Sequence, residues 1–167
     1  GMFKVYIKPR YANLSIYKRY TKYDLVKASG RYGKMNAEFT IYSDKTCKKA
    51  VKKVYATAKD SNKNVIKAEK ASVKVQLNPG TYYLKETGRL GATTQNNNVY
   101  GPITLKAGDD KKLGLFVKAD SSKNFTSDGY IINRPFYFTG TLFTKIAKGT
   151  NVPLRHSVFK VEYSEWG

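Results

Sequence analysis

The chain has 167 residues and a net charge of +19, from 31 Lys and Arg against 12 Asp and Glu. That length supports one good core, or one core plus a fragment of another. No apolar run approaches the length that spans a bilayer, no secretory leader is visible, and the single cysteine, Cys47, excludes both an intrachain disulfide and a thiolate zinc cluster.

In chain order, Phe3, Val5 and Ile7 alternate with Lys4, Tyr6 and Lys8 until Pro9, which predicts a short strand. Residues 1–11 are thus an N-terminal strand or linker. Ala12 to Tyr20 reads as the next strand, with Leu14, Ile16 and Lys18 on one face. Tyr23 to Asn36 lacks a clean period and carries Gly30 and Gly33, so it reads as a long loop. Ala37 to Ser43 is a strand with Phe39 and Ile41 inward. Lys45 to Lys53 is a short helix or a loop, and Val54 to Ala58 is a strand. Ala71 to Leu77 turns Val73, Val75 and Leu77 inward.

Pro79-Gly80 is turn chemistry, and Thr81 to Thr87 follows as a strand whose Tyr82, Leu84 and Glu86 share a face. Gly88 to Asn98 is a polar loop. Val99 to Lys106 and Lys112 to Ala119 flank a hairpin signal at Ala107-Gly108-Asp109-Asp110. Asp120 to Gly129 has the composition of a linker, which bounds the first domain at 12–120 and places a linker at 121–138. Thr141 to Lys145 and Val158 to Val161 echo Leu14 to Lys18 and Glu38 to Ile41. Residues 139–167 therefore read as the truncated start of a second, similar domain.

Short strands separated by turn signals, with no long helix, predict an all-β sandwich followed by a C-terminal partial repeat. Two charges break its apolar faces. If Leu84 faces a core, so does Glu86; if Ile16 does, so does Lys18. A buried carboxylate needs a partner. Lys18 and Glu86 are then a buried ion pair or a reactive pair, unless each is a rim residue that snorkels to water.

Three segments carry a family resemblance. Ala37-Glu38-Phe39-Thr40-Ile41-Tyr42-Ser43-Asp44 is similar to a GAEFTLY strand. Gly80-Thr81-Tyr82-Tyr83-Leu84-Lys85-Glu86-Thr87 is similar to the segment termed the E-box, and Val99 to Leu105 to the strand after it. Over about residues 12–120 the chain resembles the Cna B-type (SpaA-like, prealbumin-like) domains of Gram-positive surface proteins and pilins. The resemblance implies a prealbumin-like or Ig-like sandwich, outside the cell and anchored to the wall through other sequence. It also implies an isopeptide bond between a first-strand Lys and a last-strand Asn or Asp, with the E-box Glu moving protons. Lys18 and Glu86 take the first and third of those roles. If the last strand ends at Ala119, the acceptor candidate is Asp120, which needs a β-bulge to turn inward; Asn124 falls in the linker.

The function expected is a stalk or spacer module of an adhesin or pilus-like protein, its partners the neighbouring domains of the same chain. The alternative is a binding module for a host matrix protein or polyanionic glycan, motivated by the charge. An enzyme is not expected: there is no metal-ligand spacing, nucleophile elbow or P-loop. Neither cofactor nor metal is implied, nor membrane insertion. Nucleic acid is not expected either, because the Lys are dispersed and no recognition motif accompanies them.

Overall fold

Alternation of apolar and polar side chains, with β-branched and aromatic residues on both faces, drives about half of the described residues into strands. The computed structural model describes residues 4, 8–21, 33–88, 90, 91 and 93–134. The proposed strand at Phe3, Val5 and Ile7, most of the Tyr23–Asn36 loop and the partial repeat at 139–167 lie outside them. The chain divides into units Gly1–Phe136 and Tyr137–Gly167.

Eight strands are described: β1 Ala12–Tyr20, β2 Asn36–Tyr42, β3 Ala50–Thr57, β4 Lys70–Leu77, β5 Gly80–Glu86, β6 Val99–Leu105, β7 Asp110–Lys112 and β8 Tyr130–Asn133. They form two sheets. One has the order β3-β2-β5-β6, with every neighbouring pair antiparallel. In the other, β1 is central. It pairs antiparallel with β4 on one side. On the other side it pairs in parallel with β7 at Asn13–Ser15 and then with β8 at Tyr17–Tyr20. The protein is an all-β sandwich, and its core is filled by Leu14, Ile16, Phe39, Ile41, Leu84, Ile103 and their neighbours from both sheets.

Four sequence expectations shift. The Lys45–Lys53 segment is neither helix nor plain loop. It is a turn around Asp44, whose carboxylate accepts the Lys48 and Lys49 backbone N–H groups, followed by the first residues of β3. The Ala107–Asp110 turn does not close a hairpin, because β6 and β7 belong to different sheets. The proposed strand Lys112–Ala119 is a 3₁₀ turn at Leu113–Leu115 and irregular chain after it; Leu113 is buried but Leu115 is 72% exposed, so the alternation fails there.

The fourth shift concerns the end of the domain. The segment 121–138 is not a linker throughout, for it contains β8, and the edge strand beside β1 is split in two. Between the halves the chain leaves the sheet for residues 113–129. Its neck is closed by Gly114 and Gly129: a Cβ on Gly114 would lie 3.1 Å from the Gly129 Cα, and Gly129 has φ of +82°. Only glycine suits a backbone approach of that kind. Phe125 pins the excursion to the core. It is 2% exposed, bridges Asp120 and Ile131, and packs its ring 5.7 Å from that of Tyr100.

An excursion that is part of the core answers to mutation differently from a linker. Phe125→Ala is expected to lower stability in urea unfolding by about 3–5 kcal/mol, whereas Leu115→Ala stays within about 0.5 kcal/mol. Equal, small effects would mean that the excursion is merely tethered.

Candidate functional site

Strand alternation aims three polar side chains into the apolar interior. Leu14, Ile16, Lys18 and Tyr20 are the inward positions of β1; Tyr82, Leu84 and Glu86 are those of β5; Ile131 and Asn133 are those of β8. Lys18 and Glu86 are each 0% exposed and Asn133 is 1% exposed. The parallel register sets Asn133 opposite Tyr20, diagonal to Lys18, on the neighbouring strand of the same sheet. Glu86 comes from the facing sheet, where it pairs with Phe39.

The three head groups meet. Lys18 Nζ donates to Glu86 Oε2 at 3.1 Å and stands 3.1 Å from Oε1. It also donates to Asn133 Oδ1. The Phe39 ring lies beneath the amine, its centroid 6.0 Å from Nζ. Glu86 Oε1 is buried with the Lys18 amine as its ion-pair partner, and the Asn133 side chain also bears on the Glu86 carboxyl. Burying a carboxylate is costly, so the site shifts Glu86 toward the neutral acid.

Burial acts on both partners in the same sense, toward neutrality. It lowers Lys18 to about 8 against the pull of Glu86. It raises Glu86 above its ordinary value, against the pull of the Lys18 ammonium and the hydrogen bonds of Lys18 and the Asn133 side chain. An amine with that pKa has a minor neutral fraction near physiological pH, far larger than that of an ordinary lysine, and this fraction is a nucleophile. A carboxyl shifted toward its protonated form can, when protonated, donate to a carbonyl oxygen. Tyr100, beside this group, is pushed up to about 12, chiefly by burial, and stays a phenol.

The loop read from sequence as featureless polar chain contributes to the enclosure. Leu90, Thr93 and Asn96 are all buried. Asn96 Nδ2 donates to the Tyr100 hydroxyl at 2.9 Å, and that hydroxyl donates to the Lys123 carbonyl at 2.5 Å. Asn133 Nδ2 donates to Thr93 Oγ1 at 3.3 Å. The Thr94 N–H donates to the Arg134 carbonyl at 3.0 Å, docking the loop against the end of β8.

Lys18 and Glu86 are brought together as the alternation predicted. Asp120 is not brought to them. It caps the 3₁₀ turn Ser121–Lys123, accepting from the Ser122 N–H at 2.9 Å and the Ser122 hydroxyl at 2.6 Å, and these bonds hold its carboxyl below the usual range. Asn124 is the C-cap of the same turn, in the left-handed conformation. The residue that reaches Lys18 is Asn133, which the sequence reading assigned to a linker. Its signal was Tyr-Ile-Ile-Asn after the Asp128-Gly129 turn and just before Pro135: a four-residue strand with Ile131 and Asn133 on one face.

Comparison of the chain with protein-family models, curated proteins and solved structures gives no match.

The depressed Lys18 pKa has a stability signature when Asn133 is replaced. In Asn133→Ala, Lys18 titrates at about 8 in the folded chain and near its ordinary 10.5 in the unfolded one. Between those values the unfolded state binds more protons, so stability rises with pH across that window. Urea unfolding of Asn133→Ala, referenced to Lys18→Met/Asn133→Ala, is expected to show the rise; a flat difference would mean that Lys18 is not buried as an amine.

Proposed function

We propose that this sandwich is a structural spacer module of a bacterial cell-surface adhesin or pilus-like protein, locked by an isopeptide bond between Lys18 and Asn133. The observation that carries the reading is the convergence of an amine, a carboxamide and a carboxyl in a fully buried part of the core. A buried ion pair is a poor way to gain stability, since apolar residues of similar volume do as well or better. Three groups matched in chemistry to amide exchange have a stronger reason to be there. The resemblance to Cna B-type domains supports the same assignment, with Asn133 in place of Asp120 as acceptor.

The chemistry balances. The neutral Lys18 amine attacks Asn133 Cγ while the Glu86 acid hydrogen-bonds the carbonyl oxygen. Nζ–Cγ forms and Cγ–Nδ2 breaks. Glu86 carries the proton shed by Nζ to the departing nitrogen, which leaves as ammonia, and ends as it began. The event happens once per chain and turns over no substrate. Proximity supplies much of the rate, because the reactants are already held in contact.

The product suits a load-bearing module. The bond joins residues 115 apart in sequence. By analogy with a disulfide, closing such a loop contributes roughly 4–5 kcal/mol through the unfolded state. Tension entering before β1 and leaving after β8 crosses at Lys18–Asn133, so the chain between them carries none of it.

A second reading, a module that binds an anionic glycan, draws on the outer face of the β1 sheet. Arg19 and Lys70 lie 5.0 and 5.6 Å from the Tyr130 ring centroid, and Lys112 lies 5.2 Å from that of Tyr17. Retention on a heparin column at moderate salt, reduced by Arg19→Ala/Lys70→Ala, is the outcome that this reading expects.

For the spacer reading, intact mass decides. The wild-type chain is expected to fall short of its sequence mass by one ammonia. Lys18→Ala and Asn133→Ala should both have full mass, while Asn133→Asp should lose water instead. Lys18→Ala should also be less stable than the crosslinked chain by at least about 3–5 kcal/mol, since it leaves Glu86 buried alone. Full mass in the folded wild type would remove the bond.

A further inference from the structure

We propose that Thr93 sets the orientation of the Asn133 carboxamide and holds its nitrogen as that nitrogen leaves; the inference rests on the Lys18–Asn133 reading above. A carboxamide is nearly symmetric in shape, and its two ends differ only in hydrogen-bonding sense. The bond to Lys18 can form efficiently only if Oδ1 faces the amine and Nδ2 faces the groups that accept from it, Thr93 and the Glu86 carboxyl.

Thr93 enforces that choice. Its hydroxyl is buried and donates to the Leu90 carbonyl at 2.5 Å. A hydroxyl whose proton is committed elsewhere offers a neighbour only lone pairs. It therefore accepts from Asn133 Nδ2, at 3.3 Å, and would repel Oδ1. On the opposite side Lys18 Nζ donates to Oδ1. A flipped amide would lose both bonds and bury an unpaired donor and acceptor, which is costly in a dry core.

The same contact favours the transition state. As Nζ–Cγ forms and Cγ–Nδ2 breaks, Nδ2 gains the proton relayed by Glu86 and develops positive charge. Hydrogen bonds from charged donors are stronger than those from neutral ones, so the Thr93 bond tightens as the reaction proceeds. Backbone bonds from Thr93 to Leu90 and from Thr94 to Arg134 keep the hydroxyl in place.

The test follows the crosslink in time. Full-length chain is made by cell-free synthesis, chased, and its loss of ammonia read by intact mass for wild type, Thr93→Val and Thr93→Ser. Thr93→Val keeps the shape and removes the acceptor, and is expected to slow the loss by about tenfold, the worth of one hydrogen bond at the upper end of its range. Thr93→Ser restores the hydroxyl and is expected to restore the rate, which a packing role for the methyl group would not do. Thr93→Val reacting at the wild-type rate overturns the role of Thr93 and leaves the bond standing. A wild type that never loses ammonia overturns both. If Thr93→Val does not fold, the contact is read in Lys18→Met, where no bond can form. There, hydrogen exchange of the Asn133 side-chain NH₂ should quicken in Thr93→Ala and not in Thr93→Ser; equal exchange in both overturns the proposal.

Discussion

An amine and a carboxyl placed together in a dry β-sandwich interior determine much else about this molecule. As ions they would forfeit hydration that their mutual attraction only partly returns. As neutral groups they are tolerable, and burial moves both toward neutrality. The interior then has to supply a third polar group to complete the hydrogen bonding, and Asn133 fills that role. The loop carrying Thr93, the Phe39 ring and the split edge strand can each be understood as parts that make this polar cluster both dry and complete.

The split edge has a clear mechanical logic. β7 ends its pairing at Ser15, and β8 begins at Tyr17, so β1 is covered along nearly its whole length by two short pieces. A continuous strand would place residues soon after Lys112 opposite Lys18. The excursion postpones that and lets residues from far later in the chain occupy the position. Gly114 and Gly129 make this possible at the neck, and Phe125 repays the detour with apolar burial.

Much of this was legible in the sequence, for reasons specific to each element. Lys18 and Glu86 were found because a strand's period of two is rigid: an inward Ile16 or Leu84 commits the residue two positions on. The two-sheet architecture followed from short alternating runs between Pro, Gly and Asn turns. Asn133 was missed because pattern reading assumes that a strand is continuous. Leu113, Leu115 and Val117 look like one strand, and only the exposed Leu115 shows that the chain has left the sheet. Asp120 was chosen as the polar residue nearest that false strand end. Thr93 and Asn96 were missed because a polar loop is expected in water, and nothing local says that its hydroxyl and amide groups will be satisfied inside. Which sheet the segment after β6 would join was equally hidden, since a tight turn can end one sheet as well as bend within it.

The parallel pairing of β1 with β8 has one more consequence. Both strands run in the same direction, so the chain comes in at one pole of the sandwich and goes out at the other. A nine-residue strand such as β1 is roughly 30 Å long at about 3.3 Å per residue. Entry to β1 and exit from β8 are therefore separated by about the length of one strand.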